Sequence, residues 1–369
     1  MNEQRLSSLD ALRGFDMFFI MGLSGLVVSL CALCPNPFTD ALAAQMSHVE
    51  WNGLAHHDTI FPLFLFLAGV SFPFSYAKQK ERGMTSAQIH LKIVRRGIVL
   101  VLLGLIYNGL LKFDFENLRC ASVLARIGLA WMFAALLFIH LGKRTRIILS
   151  LTILVGYALL IKFVGAPDVP GADPLSREGN LVGYIDRLFL PGRLIYDNNR
   201  FDPEGLLSTI PAIVTAMWGM FTGELIRMPK EKMSGNRKTC CMLLAAGVLV
   251  AVTLLCKNFI PINKMLWSST FVTAVAAYSL IMMALFYYII DVRGCNRWTL
   301  IFRVVGMNSI TIYLAQRIIS MSSASKFLFG GLASHAPELW SDVILDTGYI
   351  VVCWLFLYFL YRKNTFLKV

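Results

Sequence analysis

Ten runs of about twenty mostly apolar residues divide this chain, at roughly 15–34, 58–77, 93–112, 121–141, 147–165, 206–227, 239–258, 268–290, 300–320 and 343–361. As a helix, a run of that length matches the hydrocarbon thickness of a bilayer. Lipid offers the backbone no hydrogen-bond partners, so a span must be a helix or part of a closed barrel. Barrel strands alternate apolar and polar residues, and that alternation is absent. The expected fold class is all-α, a polytopic membrane protein with about ten transmembrane helices. Composition agrees. The chain is 57% hydrophobic and 15% charged, against about 45–50% and about 25% in soluble domains.

The formal net charge of +12 would suit a nucleic-acid binder, but its distribution argues otherwise. Lys and Arg gather in alternate loops: KQKERG after the second run, RR at 95–96, GKRTR at 142–146, RMPKEKMSGNRK at 227–238, DVRGCNRW at 291–298 and YRKN at 361–364. The positive-inside rule makes those loops cytoplasmic. With ten spans both termini are then expected in the cytoplasm, and the segment around His48 on the outer side. No nucleic-acid partner is expected. The first run could pass for a signal peptide, with ALAA at 41–44 as its cleavage site. Its length, the Asp10 beside Arg5 and Arg13, and the nine runs that follow favour a retained span.

One integral domain over residues 1–369 is expected, with one long external loop at about 166–205. That loop is rich in Pro, Gly, Asp and Asn, which set turns. It also holds Tyr184, Ile185, Leu188, Phe189, Leu190 and Tyr196, so it reads as ordered and lying over the outer mouth. The stretch at 321–341 is also read as external. Cys31 and Cys34 lie one helical turn apart, as a disulfide or redox pair would, though small membrane-helix residues are the commoner reason. No metal-ligand spacing stands out.

The chemistry-bearing residues cluster at the ends of the runs. His48, His56, His57 and Asp58 precede the second run, with Glu50, Trp51 and Asn52 between them. An imidazole titrates near neutral pH and serves as general base or nucleophile. A nearby carboxylate would orient it. Asp58 is equally a candidate helix N-cap of the second span, with Pro62 in the first turn. His56 and His57 read as interfacial groups. Asp10, Arg13 and Asp16 fall near one helix face, either as an i,i+3 ion pair or, with Lys92 and Arg96, as a phosphate site. Arg126 sits inside a run and needs a partner; Asp202 and Glu204 are the candidates, in a structural pair or a site. Asn308, Ser309, Thr311, Tyr313, Gln316 and Arg317 place polar groups in the ninth run, as interhelical glue or as a passage lining.

Several ordered motifs now come together: SLDALRG (8–14), HVEWNGL (48–54) followed by DTIFPLFLFLAGVS (58–71), KIVRRG (92–97), VLARIG (123–128), GYIDRLFL (183–190), DPEGLLSTI (202–210), NKMLWSSTFVT (263–273) and GMNSITIY (306–313). In this series the chain resembles the heparan-alpha-glucosaminide N-acetyltransferase family, including its bacterial relatives of the transmembrane acyltransferase fold. The resemblance implies transfer of acetyl from cytoplasmic acetyl-CoA to the amine of a glucosamine on the far side of the membrane. It implies that the essential histidine is the one three residues before WNGL, which is His48; Asp58, read above as its orienter, is the other expected catalytic residue. Asp10, Arg13, Lys92 and Arg96 are the expected CoA-binding residues. Trp51, Asn52, Arg126, Glu204, Trp267 and Asn308 are expected to shape the acceptor site, although membrane-interface Trp is the commoner role for the two tryptophans. The expected partners are acetyl-CoA, an amino sugar or glycan, the bilayer and a second copy in a homodimer; the expected location is a bacterial inner membrane. No metal is expected.

Two routes are open. His48 either carries the acetyl group or removes a proton as the amine attacks; direct transfer is the expected route, since a thioester is already activated. The chain starts almost at SLDALRG, short of the lumenal N-terminal region of lysosomal members, so the expected acceptors include free glucosamine, an oligosaccharide and a cell-envelope sugar. N- and O-transfer stay open. The rival readings are a multi-pass transporter of a sugar or anion, and a structural or sensor protein that binds no acetyl-CoA.

Overall fold

The computed structural model describes residues 6–196 and 200–367. Fifteen α-helices account for most of them: α1 Ser7–Phe18, α2 Ser24–Ala32, α3 Pro37–Ala44, α4 His56–Glu81, α5 Ser86–Tyr107, α6 Val123–His140, α7 Lys143–Phe163, α8 Leu181–Phe189, α9 Thr209–Arg227, α10 Gly235–Cys256, α11 Ser269–Phe286, α12 Leu300–Gly306, α13 Ser309–Ile318, α14 Met321–Ser334 and α15 Glu338–Arg362. The described residues form no β-strand beyond isolated bridges. The protein is all-α and polytopic.

Among the described residues, eight helical stretches are long and apolar enough to cross a membrane: Ser7–Ala32, His56–Glu81, Val123–His140, Lys143–Phe163, Thr209–Arg227, Gly235–Cys256, Ser269–Val292 and Glu338–Arg362. The expected ninth run is broken instead into Arg297–Gly306 and Ser309–Ile318, bent by 55°. The run expected at 93–112 is also altered. Its helix, α5, ends at Tyr107 and starts at Ser86, so it includes Lys92, Arg95 and Arg96 and is too charged to qualify. The count is therefore eight, or nine with the bent pair as one span, in place of ten. The stretch at 321–341 holds a helix, α14.

The described chain divides into two compact units. The first comprises residues 6–49, 55–60 and 282–367. Here α1 continues through a π-helical turn, Phe19–Leu23, into α2. Gly22 occupies that turn at φ +123°, a conformation open to glycine and strained for other residues. Glycines also let α1 and α12 touch backbone to backbone. A Cβ at Gly14 would lie 1.8 Å from the Phe302 carbonyl oxygen, and one at Gly306 would lie 1.9 Å from that of Asp10. Lipid tails are as apolar as Leu, so helices in a bilayer associate through such close contacts rather than through the hydrophobic effect. Met17, Met21, Val304, Val305, Ile312, Cys353 and Leu357 fill the space beside this crossing.

The second unit comprises residues 50–54 and 61–281, without 197–199. Small residues again set its contacts: a Cβ at Gly69 would meet the Ala216 carbonyl oxygen at 2.2 Å, and one at Gly219 the Phe66 oxygen at 2.1 Å. The long connection between α7 and α9 is built around α8. Asn180 caps that helix, its side-chain oxygen accepting the Gly183 N–H at 2.6 Å. Arg187 reaches back to Asp168, with Nη2 to Oδ2 at 2.7 Å. Apolar residues of this connection, Leu175, Val182 and Phe201, pack with Tyr157, Ile161 and Leu266.

Candidate active site

The first unit holds a histidine–carboxylate pair. Nδ1 of His48 lies 2.7 Å from Oδ1 of Asp58. The imidazole is 44% exposed and the carboxylate 1%, so one partner is accessible while the other is locked beneath it. The locking follows from the start of α4. A helix N-terminus leaves its first N–H groups without intrahelical partners. Here Asp58 Oδ2 accepts from Ala55 N at 3.2 Å and from Val49 N at 3.3 Å. The Gln45 side chain accepts from His56 N, and the Gln45 carbonyl from His57 N, both at 3.0 Å. The helix thus begins two residues before Asp58. The carboxylate acts as a cap from the first turn rather than from the N-cap position, and Pro62 falls in the second turn. Capping and orienting the histidine, posed as alternatives by the sequence, are done by the two oxygens of one side chain.

His57 belongs to the same group. Its ring centroid is 4.5 Å from that of His48, and its Nδ1 is 3.1 Å from the Ser24 hydroxyl of α2. His56 turns the other way, against Phe19 at 4.4 Å. Successive helical residues diverge by about 100°, which is why two adjacent histidines have different surroundings. Nothing local in the sequence distinguishes Gln45 or Ser24, while His57, expected as an interfacial group, has its ring against that of His48.

Asp10, Arg13 and Asn308 also lie in the first unit. Asp10 and Arg13 form the i,i+3 ion pair, at 3.7 Å. Asn308 is 2% exposed and sits at the break between α12 and α13, its Oδ1 without a hydrogen-bond donor among the described residues. Further along α13, Gln316 donates to the Tyr349 hydroxyl at 2.8 Å, a bond between helices.

The second unit holds the other expected residues. Asn52 Oδ1 accepts from Asn263 Nδ2 at 3.0 Å, and the Gly53 N–H reaches the Ile262 carbonyl at 2.8 Å. Trp51 donates to the Leu175 carbonyl at 2.9 Å, with Arg177 over its ring at 5.6 Å. WNG is therefore clasped by the 261–268 turn and by the connection before α8. Trp267 is no surface or interface side chain. It is 1% exposed, and its ring meets Phe61 and Phe271, each at 5.1 Å, and the Arg126 guanidinium at 4.9 Å.

The arginine pairing differs from expectation. Arg119, not Arg126, binds Asp202, with Nε to Oδ2 and Nη2 to Oδ1 both at 2.7 Å, and it also binds Glu204. Burial opposes the Arg119 charge, but the two carboxylates outweigh it and hold its pKa above the ordinary value. Arg126, 1% exposed, instead donates to the Gly205 carbonyl at 3.0 Å and to the Ser208 hydroxyl. Its Nε and Nη1 have no acceptor among the described residues. Arg119 lies in the loop before α6 and reaches the carboxylates sideways, whereas Arg126 points into the helix bundle. Nearby, burial raises the Asp186 pKa to about 7. One Asp186 oxygen accepts the Leu206 N–H at 2.8 Å, and the other lies 1.8 Å from where a Cβ of Gly205 would stand.

Lys92 and Arg96 also belong to the second unit. Arg96 lies over the Trp131 ring at 4.2 Å, and Lys92 Nζ is 3.2 Å from the Met84 sulfur. All eight cysteines are free thiols; Cys31 is buried and Cys34 exposed. Among the described residues, no group of three or more His, Cys, Asp or Glu is arranged to hold a metal ion.

Heparan-alpha-glucosaminide N-acetyltransferase from Mus musculus is 27% identical over 417 residues, which take in 100% of this chain and 62% of that protein. The human enzyme is 28% identical over 374 residues, 87% of this chain and 55% of that protein. The chain is related to the heparan-alpha-glucosaminide N-acetyltransferases. It spans less than two thirds of the length of these curated relatives. A related family model, described as a domain of unknown function, DUF5009, matches residues 5–160. That match takes in the His48–Asp58 segment.

Proposed function

We propose that this membrane protein transfers an acetyl group from acetyl-CoA to the amine of a glucosamine-type sugar, with His48 at the reacting centre. The observation that carries the reading is the His48–Asp58 pair, in a chain related to glucosaminide N-acetyltransferases. In the tautomer that donates Nδ1–H to Asp58, the basic lone pair is on Nε2. As the amine attacks the thioester carbonyl, a C–N bond forms and the C–S bond breaks. Nε2 takes the amine proton, and CoA leaves as thiolate to be protonated. Asp58 stabilises the imidazolium that results. If His48 carries the acetyl group instead, Nε2 displaces CoA as the C–S bond breaks and an acyl-imidazole forms, and the amine then attacks, losing its proton as the C–Nε2 bond breaks.

Acetyl-CoA entering from the cytoplasm, the acceptor on the outer side, both termini inside and a bacterial inner-membrane location belong to this proposal. The sidedness follows from the alternating basic loops and from counting α5 as a further crossing. The proposal also includes a homodimer, and phosphate binding by Arg13, Lys92 and Arg96 with Asp10 positioning Arg13. Trp51, Asn52, Arg126, Glu204, Trp267 and Asn308 are proposed to shape the acceptor site. Trp267 and Arg126 would act from buried positions, by holding other groups in place.

The test uses protein in nanodiscs, radiolabelled acetyl-CoA and glucosamine, with N-acetylglucosamine and CoA as readouts. Turnover that vanishes in His48→Ala while acetyl-CoA still binds supports the proposal. Acetyl-CoA binding with no acetylated product across a panel of amino sugars and glycans would remove the acceptor assignment. No acetyl-CoA binding would remove the acetyltransferase reading altogether.

A further inference from the structure

Helices α5 and α6, both in the second unit, are held in register by glycines. A Cβ at Gly104 would lie 2.1 Å from the Ser122 hydroxyl oxygen, one at Gly128 would lie 2.8 Å from the Gly97 carbonyl oxygen, and one at Gly97 would lie 2.6 Å from the Met132 sulfur. Positions fall along α5 as they rise along α6, so the helices are antiparallel. Residues 108–122 join them at one end. At the open end the same register brings together His90, near the start of α5, and His140, the last residue of α6. Their Nε2 atoms are 2.8 Å apart. His90 is half-buried and His140 exposed.

The pair has the chemistry of a metal clamp. The Ser86 carbonyl oxygen lies 2.7 Å from His90 Nδ1. A carbonyl oxygen only accepts, so His90 Nδ1 carries a proton and its Nε2 lone pair faces His140. Metal-binding histidines are held in this manner, the other ring nitrogen donating to a carboxylate, a backbone carbonyl or water. Two nitrogens that each sit about 2.0 Å from one ion are about 2.8–3.3 Å apart for angles of about 90–110°. The observed separation is at the narrow end of that window, and neither ring is packed so tightly that it could not open by a few tenths of an ångström. Among the described residues no group of three His, Cys, Asp or Glu forms here, so water would complete the coordination. Hard ions such as Mg²⁺ and Ca²⁺ take oxygen ligands. Imidazole without a carboxylate suits Zn²⁺, Ni²⁺ and Cu²⁺ instead.

We infer that His90 and His140 form a two-histidine site for a divalent transition-metal ion, which closes the open end of the α5–α6 hairpin. The ion replaces the proton shared between the two Nε2 atoms. His140 then takes the tautomer with its proton on Nδ1, so both Nε2 lone pairs are directed at the ion and both rings are neutral. The inference does not rest on the proposed acetyl transfer.

The experiment titrates Zn²⁺, and separately Ni²⁺, into the whole protein in nanodiscs, stripped of metal by a chelator and free of any polyhistidine tag. Calorimetry and thermal melting are the readouts. Zn²⁺ should bind and raise the melting temperature, as any ligand of the folded state does, and Mg²⁺ at the same concentration should do neither. His90→Ala and His140→Ala should each weaken Zn²⁺ binding by about tenfold or more, since losing even an outer-shell partner costs about 10–100-fold. His335→Ala removes an exposed histidine of the first unit and should leave the affinity unchanged. Melting without metal checks that each variant folds, and if one does not, the other decides. Absence of Zn²⁺ binding to the wild type would show a histidine–histidine hydrogen bond only and overturn the site. Wild-type affinity in the folded His90 and His140 variants would place the ion elsewhere and overturn it equally.

Discussion

Asp58 binds His48 Nδ1 at 2.7 Å through one carboxylate oxygen and accepts the Ala55 N–H at 3.2 Å through the other. The start of α4 and the orientation of the imidazole therefore depend on the same group. His48→Ala should lower kcat about 10²–10⁴-fold, the usual contribution of a general base, with little change in melting temperature. Asp58→Asn should lose activity through the missing charge while keeping a side-chain oxygen for Ala55. Asp58→Ala should lose activity and also about 1 kcal/mol of stability through the lost cap. Steady-state kinetics and thermal melting of the three variants separate the roles. Equal stability of the two Asp58 variants would remove the capping role.

Arg119 should matter to stability more than Arg126 matters to any ion pair. Removing one member of a buried charge group costs about 3–5 kcal/mol. Arg119 is 21% exposed while Asp202 is 0% and Glu204 8% exposed, so about 3 kcal/mol is expected for Arg119→Ala. Much of that loss should be recovered by Arg119→Ala combined with Asp202→Asn and Glu204→Gln, since two unpaired buried charges go with it. Chemical denaturation in detergent reads the comparison.

Helix crossing in the first unit should tolerate no side chain at Gly14 or Gly306, because each would place a Cβ within 2 Å of a facing carbonyl oxygen. Gly14→Ala should cost about 1–3 kcal/mol as overpacking. Gly330→Ala, where a Cβ meets nothing within 4 Å, is the control and should be close to neutral. A thermal shift of equal size in both would contradict the crossing.

Asp186 should make stability fall as pH rises. Its folded pKa of about 7 exceeds the ordinary carboxylate value. Below about pH 4 the carboxyl is protonated whether the chain is folded or not, and it carries no penalty. Between about 4 and 7 the unfolded state ionises while the folded state holds its proton, so stability declines with pH and levels off above 7. The melting temperature of wild type relative to Asp186→Asn should follow that curve. A difference that does not change with pH would show that Asp186 is not responsible.

Helix periodicity and turn chemistry made much of the architecture legible. Runs at 121–141, 147–165 and 239–258 correspond closely to α6, α7 and α10, since a long apolar helix needs only local composition and internal hydrogen bonds. The misjudged runs failed for local reasons that depend on neighbours. Helix α5 stops at Tyr107, short of the expected residue 112, so its apolar part is short beside Lys92, Arg95 and Arg96. The 300–320 run breaks at Met307–Asn308, where no proline warns of it.

Partner choice was the part that local pattern did not contain. By itself the sequence determined an all-α polytopic protein, named the histidine in front of WNGL, and put an aspartate ten residues after it. Those features rest on composition, spacing and motif, all properties of short stretches. Only the tertiary structure decided that Asp202 and Glu204 pair with Arg119, that Trp267 is buried against Arg126, and that Ser24 meets His57. It also brought Ser29 to Asp346, 317 positions away. Such contacts depend on the depth and rotation at which helices cross, which glycine approaches like that of Gly14 and Phe302 set to within an ångström, and a linear hydropathy pattern carries no record of either.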